Sequence, residues 1–244
     1  MVGVLIALVF LLLTWSNCGT TRNKIVSTLS DDIFDLDNLY QIIALFYIFF
    51  SGLKNVYTFN PALRADKSRT REHLSEFTML EVEMAFVENL QILLSHDELR
   101  KLLKSQKFHA ISYDDALKVA GVFTSKRLGK NEEKAICSHF GNAPVFVTHF
   151  PSDQKPFYMK TSEDGRKCLC FDLLLPEVGE VCGGSLRECN GDILRERYLD
   201  LRKYGHPQLG GFGLGFERLL QFLLGIRNIR DCTYFPRSYQ HCFG

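Results

Sequence analysis

The pattern of hydrophobic residues divides the chain near residue 55. Two uncharged runs rich in apolar residues, 4–13 and 38–53, lie before this point. The first resembles a signal-peptide core, but no basic residue precedes it and it is short for a membrane span. Membrane contact through residues 4–13 and 39–53 is therefore one interpretation, and burial of both runs in a core is the other. We predict residues 1–55 to be an apolar segment separate from the rest.

From residue 56 onward, the pattern contains clear strand signals. Alternating polar and apolar residues predict a strand at 76–86 that passes into a helical pattern. Short apolar runs closed by proline are typical of buried strands. Such runs end at Pro61 and cover 143–151 and 169–176.

Helical signals occur at three places among these strands. They are 97–104, 112–122 and 216–224. Ser112 or Asp114 would cap the second helix, and Gly225 would end the third, because glycine readily takes the left-handed conformation that follows many helices. Strands and helices interleaved in this way predict a mixed α and β domain over residues 56–244.

Composition narrows the function classes. A chain of 244 residues can bury a sizeable core, and its net charge of +1 excludes a strongly basic tail for nucleic acid, so any such partner needs a local patch. None of the eight cysteines has CxxC spacing, which argues against a zinc knuckle or a redox motif. Cys168 and Cys170 would share one face of a strand, and we interpret them as small buried hydrophobes with reduced thiols.

A glycine-rich run at 210–215, followed by Glu217 and Arg218, carries the strongest chemical signal. Glycine lets a backbone approach a ligand closely, and an arginine one turn into a helix can bind phosphate oxygens. The spacing is GxGxG rather than the dinucleotide-binding GxGxxG. The run is therefore either a tight connection before a helix or part of a nucleotide site.

Two further segments are rich in charge. Residues 64–76 place arginines, a lysine and a histidine between two predicted strands, as a phosphate-binding loop or as a solvated hairpin tip. Residues 176–188 surround a GlyGlySer sequence, interpreted as a turn. Glu180 there could hold a divalent ion and Arg187 a substrate carboxylate, while a surface position is the plainer interpretation.

Taken together, these segments resemble class II aminoacyl-tRNA synthetases. FNPALRAD (59–66) with HLSEFTMLEVE (73–83) resembles motif 2 of that family, and GFGLGFERL (211–219) resembles motif 3. The aspartyl and asparaginyl branch is indicated by KPFYMK (155–160), the Asp-Gly pair at 164–165, LLPEVGEVCGGSLRE (174–188), NIRD (228–231) and FPR (235–237). Gly183 stands where aspartyl enzymes tend to have serine, so the chain resembles the asparaginyl enzymes most.

The resemblance implies an α+β fold, the class II catalytic fold of an antiparallel sheet flanked by helices, here incomplete. It implies ATP-dependent activation of asparagine to the adenylate, with Mg²⁺, and transfer to tRNA(Asn). YLDLRKYG (198–205) resembles the bacterial and mitochondrial type, which favours a mitochondrial location over a cytoplasmic or membrane-associated one.

The resemblance also assigns roles to individual residues. Arg64 and Arg218 are the implied catalytic residues, Arg64 at the α-phosphate and the incoming carboxylate and Arg218 at the far end of ATP. Glu180 would bind the metal. The implied ATP-binding set is Arg64, Asp66, His73, Leu74, Glu180, Gly213, Gly215, Phe216, Glu217 and Arg218. The implied amino-acid-binding set is Gly183, Arg187 and Glu188, with Glu188 as reader of the side-chain amide.

Several features depart from the family pattern. Glu72 takes the place of an arginine, and an acid facing ATP phosphates implies either a shifted loop or weaker nucleotide binding. Motif 1, the anticodon-binding domain and a segment after Glu188 have no counterpart. Motif 1 builds the family's homodimer, so we do not expect that dimer here. The alternative to an asparagine ligase is thus a truncated, catalytically impaired protein that acts through interactions or has no function.

Overall fold

The computed structural model describes residues 55–64, 70–90, 108–122, 127–197, 208–238 and 241–242. The apolar runs before residue 55, the predicted helix at 97–104 and Asp66 lie outside this part of the chain. Within it, no helix is long and apolar enough to cross a membrane.

Seven strands form one mixed sheet. They are β1 (Asn55–Leu63), β2 (Glu76–Ala85), β3 (His109–Ser112), β4 (Val145–Thr148), β5 (Cys170–Leu175), β6 (Gly179–Leu186) and β7 (Leu209–Gly215). Their spatial order is β1-β2-β7-β6-β5-β4-β3. All neighbours are antiparallel except β3 and β4, which are parallel. A two-stranded hairpin of β8 (Arg237–Ser238) and β9 (His241–Cys242) completes the described strands. The predicted α+β class is confirmed.

The strand limits differ from the expected ones in three places. β1 continues past Pro61 to Leu63, because β1 is an edge strand of the sheet and an edge position does not need the N–H that proline lacks. The segment 76–86 stays a strand through Ala85 and does not turn helical before that residue. β4 covers only four residues of the predicted 143–151. β5 ends before Pro176, as predicted.

Four helices occur among the described residues. They are α1 (Tyr113–Val119), α2 (Lys130–His139), α3 (Gly191–Arg197) and α4 (Phe216–Leu224). Ser112 caps α1, since its Oγ accepts from the backbone N of Asp115 at 3.2 Å. α1 ends three residues before the predicted Val122, where Gly121 adopts a φ of 69°. Gly225 ends α4 in the left-handed conformation, as predicted.

Two apolar clusters hold the sheet and helices together. One contains α1, α2 and the β3–β5 end of the sheet, with Ile136 and Val147 fully buried. The other packs α4 against β2, β5, β6 and β7. Cys168 and Cys170 are buried free thiols of the first cluster, which confirms their predicted packing role. Burial raises the pKa of Cys170 to about 12, so its thiol stays protonated and unreactive.

The N-cap of α1 provides a first testable prediction. Replacing Ser112 by alanine removes the acceptor for the Asp115 N–H and should lower the free energy of unfolding by about 1 kcal/mol. Urea denaturation followed by circular dichroism measures this change. S112T keeps a hydroxyl that can accept from the Asp115 N–H and donate to the Asp115 carboxylate, and it is the matched control; a stability loss equal to that of S112A would contradict the capping role.

Candidate active site

A strip of glycine residues lies on one face of the sheet. Side chains alternate between the two faces of a strand, and cross-strand partners share a face. Gly213 of β7 lies between its partners Glu81 of β2 and Gly183 of β6. We call the strip formed by Gly183, Gly211, Gly213 and Gly215 the glycine trough. The glycine run at 210–215 and the GlyGlySer sequence at 183–185 are thus strand residues. The turn interpreted at 183–185 is wrong. Of the two alternatives for 210–215, the tight connection does not apply, because the run pairs with a strand on each side.

Gly211 shows why this floor lacks side chains. Its strand partner is Glu83, and a Cβ on Gly211 would overlap the Glu83 carboxylate. Only glycine at position 211 leaves room for the Glu83 carboxylate to lie over the backbone of β7. The glycines therefore bring charged side chains and any ligand close to the sheet backbone.

Arg187 and Glu83 form an ion pair at one end of the trough. The Arg187 guanidinium donates to Glu83 through Nε, at 3.1 Å from Oε1, and through Nη2, and it donates to Ser185 Oγ at 3.2 Å. It also lies over the Tyr158 ring, 5.0 Å from the centroid. These contacts fix the planar fork, so Arg187 is placed to recognise a small polar group.

Glu81 lies beside this pair on the same face of β2. Burial raises the pKa of its carboxyl, and the charge of Glu83 raises it further. Thr58 Oγ1 donates to Glu81 Oε2 at 3.4 Å. Neither Glu81 nor Glu83 was predicted as a site residue. The alternation over 76–86 places both residues on one face of a strand, and this pattern in the sequence could have indicated them.

Two carboxylates lie at the β5–β6 end of the trough, those of Asp172 and Glu180. We call these two residues the acid pair. One oxygen of each lies 3.2 Å from the position that a Cβ on Gly183 would occupy. Lys155 Nζ donates to both oxygens of Asp172, at 2.7 and 2.8 Å, and it lies 3.8 Å from the centroid of Phe150. Asp172 and Lys155 were not predicted, and the resemblance assigned only Glu180 to this site.

Burial raises the pKa of Asp172, and the charge of Glu180 raises it further, while Lys155 opposes both effects. The same residues line a cavity of about 130 Å³ together with Glu133, Gln154 and others. Among the residues that the structure describes, no group of three or more His, Cys, Asp and Glu side chains is arranged to hold a metal. The acid pair is thus a site with two carboxylates.

Arg218 links the acid pair to the loop between β1 and β2. It lies in the first turn of α4, and it donates to the backbone carbonyls of Glu180 at 2.6 Å and Glu72 at 3.2 Å. The Glu72 carboxylate pairs with Lys134 of α2 at 2.8 Å. Burial disfavours the charged form of Glu72, but the hydrogen bond and charge of Lys134 outweigh it and lower the pKa.

On the loop side of the site, Arg64 is exposed and its guanidinium lies 5.3 Å from the Phe77 ring centroid. Phe77 belongs to the same alternation as Glu81 and so faces the trough, a position that was not predicted. His73 Nδ1 lies 2.5 Å from Thr70 Oγ1, and Leu74 is buried. The predicted adenine contacts of His73 and Leu74 stay predictions.

Three other predicted site residues hold the fold together. Both oxygens of Glu217 accept from the backbone N of Thr78 at 2.9 Å, which ties α4 to β2. Phe216 packs edge-on against Phe59, with ring centroids 5.1 Å apart. Glu188 is buried and accepts from the backbone N of Asn190 at 3.1 Å. Their predicted contacts with ligands stay predictions.

The chain belongs to the class II tRNA synthetases of the D, K and N group, whose family model matches residues 19–198 and 194–239. The match begins inside the predicted apolar segment, so the boundary at residue 55 stays a prediction. The two matched ranges meet at 194–198, just after the point where a family segment was expected to be missing.

Within that family, the chain is similar to asparaginyl enzymes. It is 39% identical to a mouse asparaginyl-tRNA synthetase over 77% of this chain and 50% of the relative, and 36% identical to a Ureaplasma urealyticum asparagine–tRNA ligase over 76% and 53%. An Entamoeba histolytica asparaginyl-tRNA synthetase in complex with asparaginyl-adenylate matches with 30% identity and a TM-score of 0.71, over 80% of this chain and 55% of that one. The predicted resemblance is confirmed, and the chain spans about half the length of these relatives.

Proposed function

We propose that the chain is an asparagine–tRNA ligase that uses ATP to activate asparagine and transfers it to tRNA(Asn). The observation that carries this proposal is the glycine trough, with the Arg187–Glu83 pair and Glu81 at one end and the acid pair with Arg218 at the other. Such a trough accommodates an amino acid and a nucleotide joined end to end, as in the asparaginyl-adenylate of the Entamoeba relative.

The amino-acid end fits a side-chain amide. We propose that Arg187 donates to the amide carbonyl and that Glu81, rather than Glu188, accepts from the amide N–H. One carboxylate oxygen of Glu188 accepts a hydrogen bond from the backbone N of Asn190, whereas Glu81 faces the trough. An aspartate carboxylate in the same place would face the charge of Glu81 and be repelled.

The nucleotide end fits ATP. Phe77 offers an aromatic face for the adenine ring, and Arg64 and Arg218 supply positive charge for the phosphates. In the proposed reaction, an asparagine carboxylate oxygen bonds to the α-phosphorus as the bond to the leaving pyrophosphate oxygen breaks. The residues contribute by positioning the reactants and offsetting negative charge.

The acid pair fits Mg²⁺. This ion takes hard oxygen ligands and is usually bound by one or two carboxylates together with substrate phosphates, which matches the convergence of Asp172 and Glu180 beside Gly183. Bound there, the ion would neutralise phosphate charge. A mitochondrial location remains part of the proposal, and the family's homodimer is not part of it. The proposed membrane contact through residues 4–13 and 39–53 lies outside the described residues.

Asparagine-dependent exchange of pyrophosphate into ATP tests the proposal. The full chain should catalyse this exchange, and R218A should lower kcat/KM by about 10²–10³-fold because a phosphate-facing charge is lost. R166A, which removes an exposed arginine paired only loosely with Asp164, is the control and should exchange normally. Absence of exchange with both asparagine and aspartate would reject the ligase activity.

A further inference from the structure

Lys134 of α2 stands beside the phosphate end of the proposed site without having been assigned any role. Its Nζ lies 2.8 Å from Glu72 Oε1, and the backbone carbonyl of the same Glu72 accepts from Arg218 Nη2 at 3.2 Å. One residue thus connects the two cations. The Lys134 side chain is 35% exposed, so a ligand in the site can reach it.

The helix that carries Lys134 is fixed against the site. Glu133 Oε2 accepts from the backbone N of Glu180 at 2.8 Å and from Lys130 Nζ at 2.8 Å. Gly179 makes this approach possible, because its φ of 72° forms the turn before Glu180 and a Cβ there would overlap the Glu133 carboxylate. These contacts hold α2 against β6 beside Glu180, and Lys134 follows Glu133 directly in the chain.

Charge decides what Lys134 can bind. Its neighbour Glu72 lies at the end of the trough where the proposed nucleotide carries several negative charges. A carboxylate there repels a polyphosphate, and it also occupies a cation that a polyphosphate would attract. The ion pair is partly solvated, so exchanging its carboxylate for a more highly charged phosphate costs little.

We propose that Lys134 binds the distal phosphates of ATP, and that in the free protein Glu72 holds this lysine and competes with the nucleotide for it. The inference rests on the proposed function for the identity of the ligand. ATP binding breaks the Lys134–Glu72 pair, and the ammonium moves to a phosphate oxygen while Arg218 remains on the other side. Lys134 is then a substrate-binding residue, and Glu72 sets the ATP affinity of this chain.

The test measures the affinity of the full chain for Mg·ATP, AMP and a non-hydrolysable asparaginyl-adenylate analogue by isothermal titration calorimetry. K134Q should weaken Mg·ATP binding about tenfold, and E72Q should strengthen it several-fold, because one loses a charged hydrogen bond to phosphate and the other removes the competitor. AMP and the adenylate analogue lack the distal phosphates, so their affinities should not change.

Two control variants separate this effect from a loss of structure. K134R keeps the charge and should retain most of the ATP affinity, while K118Q removes a lysine from an exposed ion pair on α1 and should bind ATP normally. Equal Mg·ATP affinity in K134Q and the unaltered chain, or weaker binding in E72Q, would overturn the inference. Failure of the proposed function shows differently, as no binding of the adenylate analogue by the unaltered chain.

Discussion

Replacing Arg187 by alanine should reduce kcat/KM for asparagine in pyrophosphate exchange by about 10⁴-fold, the largest functional effect that we expect from one substitution. A site built to hydrogen-bond a polar group loses activity of this order when the bond is removed, since buried partners are left unsatisfied. Here Glu83 would lose its ion-pair partner, and the asparagine carbonyl would lose its donor. Initial-rate measurements over a range of asparagine concentrations give kcat/KM directly.

R187K separates charge from geometry. Lysine keeps the positive charge but cannot reproduce the contacts that Nε, Nη1 and Nη2 make with Glu83 and Ser185. It should therefore recover only a small part of the lost rate. Full activity in R187K would contradict a role for the fork in recognising asparagine.

A second variant separates recognition from stability. In R187A/E83Q the uncompensated charge at position 83 is gone, so the folded state should regain most of its stability while exchange stays lost. If the double variant recovered both, Arg187 would act only by compensating the charge of Glu83. Thermal unfolding and the exchange assay on the same preparation distinguish the two outcomes.

The motifs that carry local signals could be predicted from the sequence. Alternation over 76–86 indicated β2, the proline after residue 175 marked the end of β5, and Gly225 ended α4. Each of these depends on residues within one element. The resemblance then brought Arg218 and Glu180 into one site, and the structure places the Arg218 guanidinium 2.6 Å from the Glu180 carbonyl.

The glycine strands could not be predicted in this way. Glycine has no side chain to show a period of two, and its backbone freedom makes a turn the ordinary expectation. β6 and β7 are strands because each pairs with a strand on both sides, β6 with β5 and β7, and β7 with β2 and β6. Tertiary pairing therefore decides their conformation, and local propensity does not.

Ion pairs between segments that are far apart in the sequence could not be predicted from it either. Arg187 and Glu83 are 104 residues apart in sequence, and Lys134 and Glu72 are 62 apart. Without the strand order, nothing in the composition of either segment indicates which acid meets which base. Glu72 is an example. An acid at this position was expected to weaken nucleotide binding, but its carboxylate pairs with Lys134 on α2.

Replacing Lys155 by methionine should lower the free energy of unfolding by about 3–5 kcal/mol. Removing one partner of a buried ion pair leaves an uncompensated charge, and Asp172 would then share a largely desolvated site with Glu180. Methionine fills a similar volume over Phe150, so the loss reports charge and not a cavity. Urea denaturation at pH 7.5 measures it, and K155M/D172L, which removes both charges, should be more stable than K155M.

The loss of unfolding free energy in K155M should also depend on pH, and the pKa of Asp172 determines whether it grows or shrinks as pH rises. Burial and Glu180 already raise the pKa of Asp172 above its ordinary value of 3.8, and removal of Lys155 takes away the charge that opposes them. In the unaltered chain this pKa is about 7, so the folded chain and the folded variant both hold a proton that the unfolded chain releases above about pH 4, and the stability of both falls as pH rises to 7. Above pH 7, Asp172 of the unaltered chain is ionised beside Lys155, whereas the variant still holds its proton, so only the variant continues to lose stability. The loss in K155M should therefore be smallest below about pH 7 and grow above it. A destabilisation that stays constant from below pH 7 to well above it would show that Lys155 stabilises this end of the trough by packing alone.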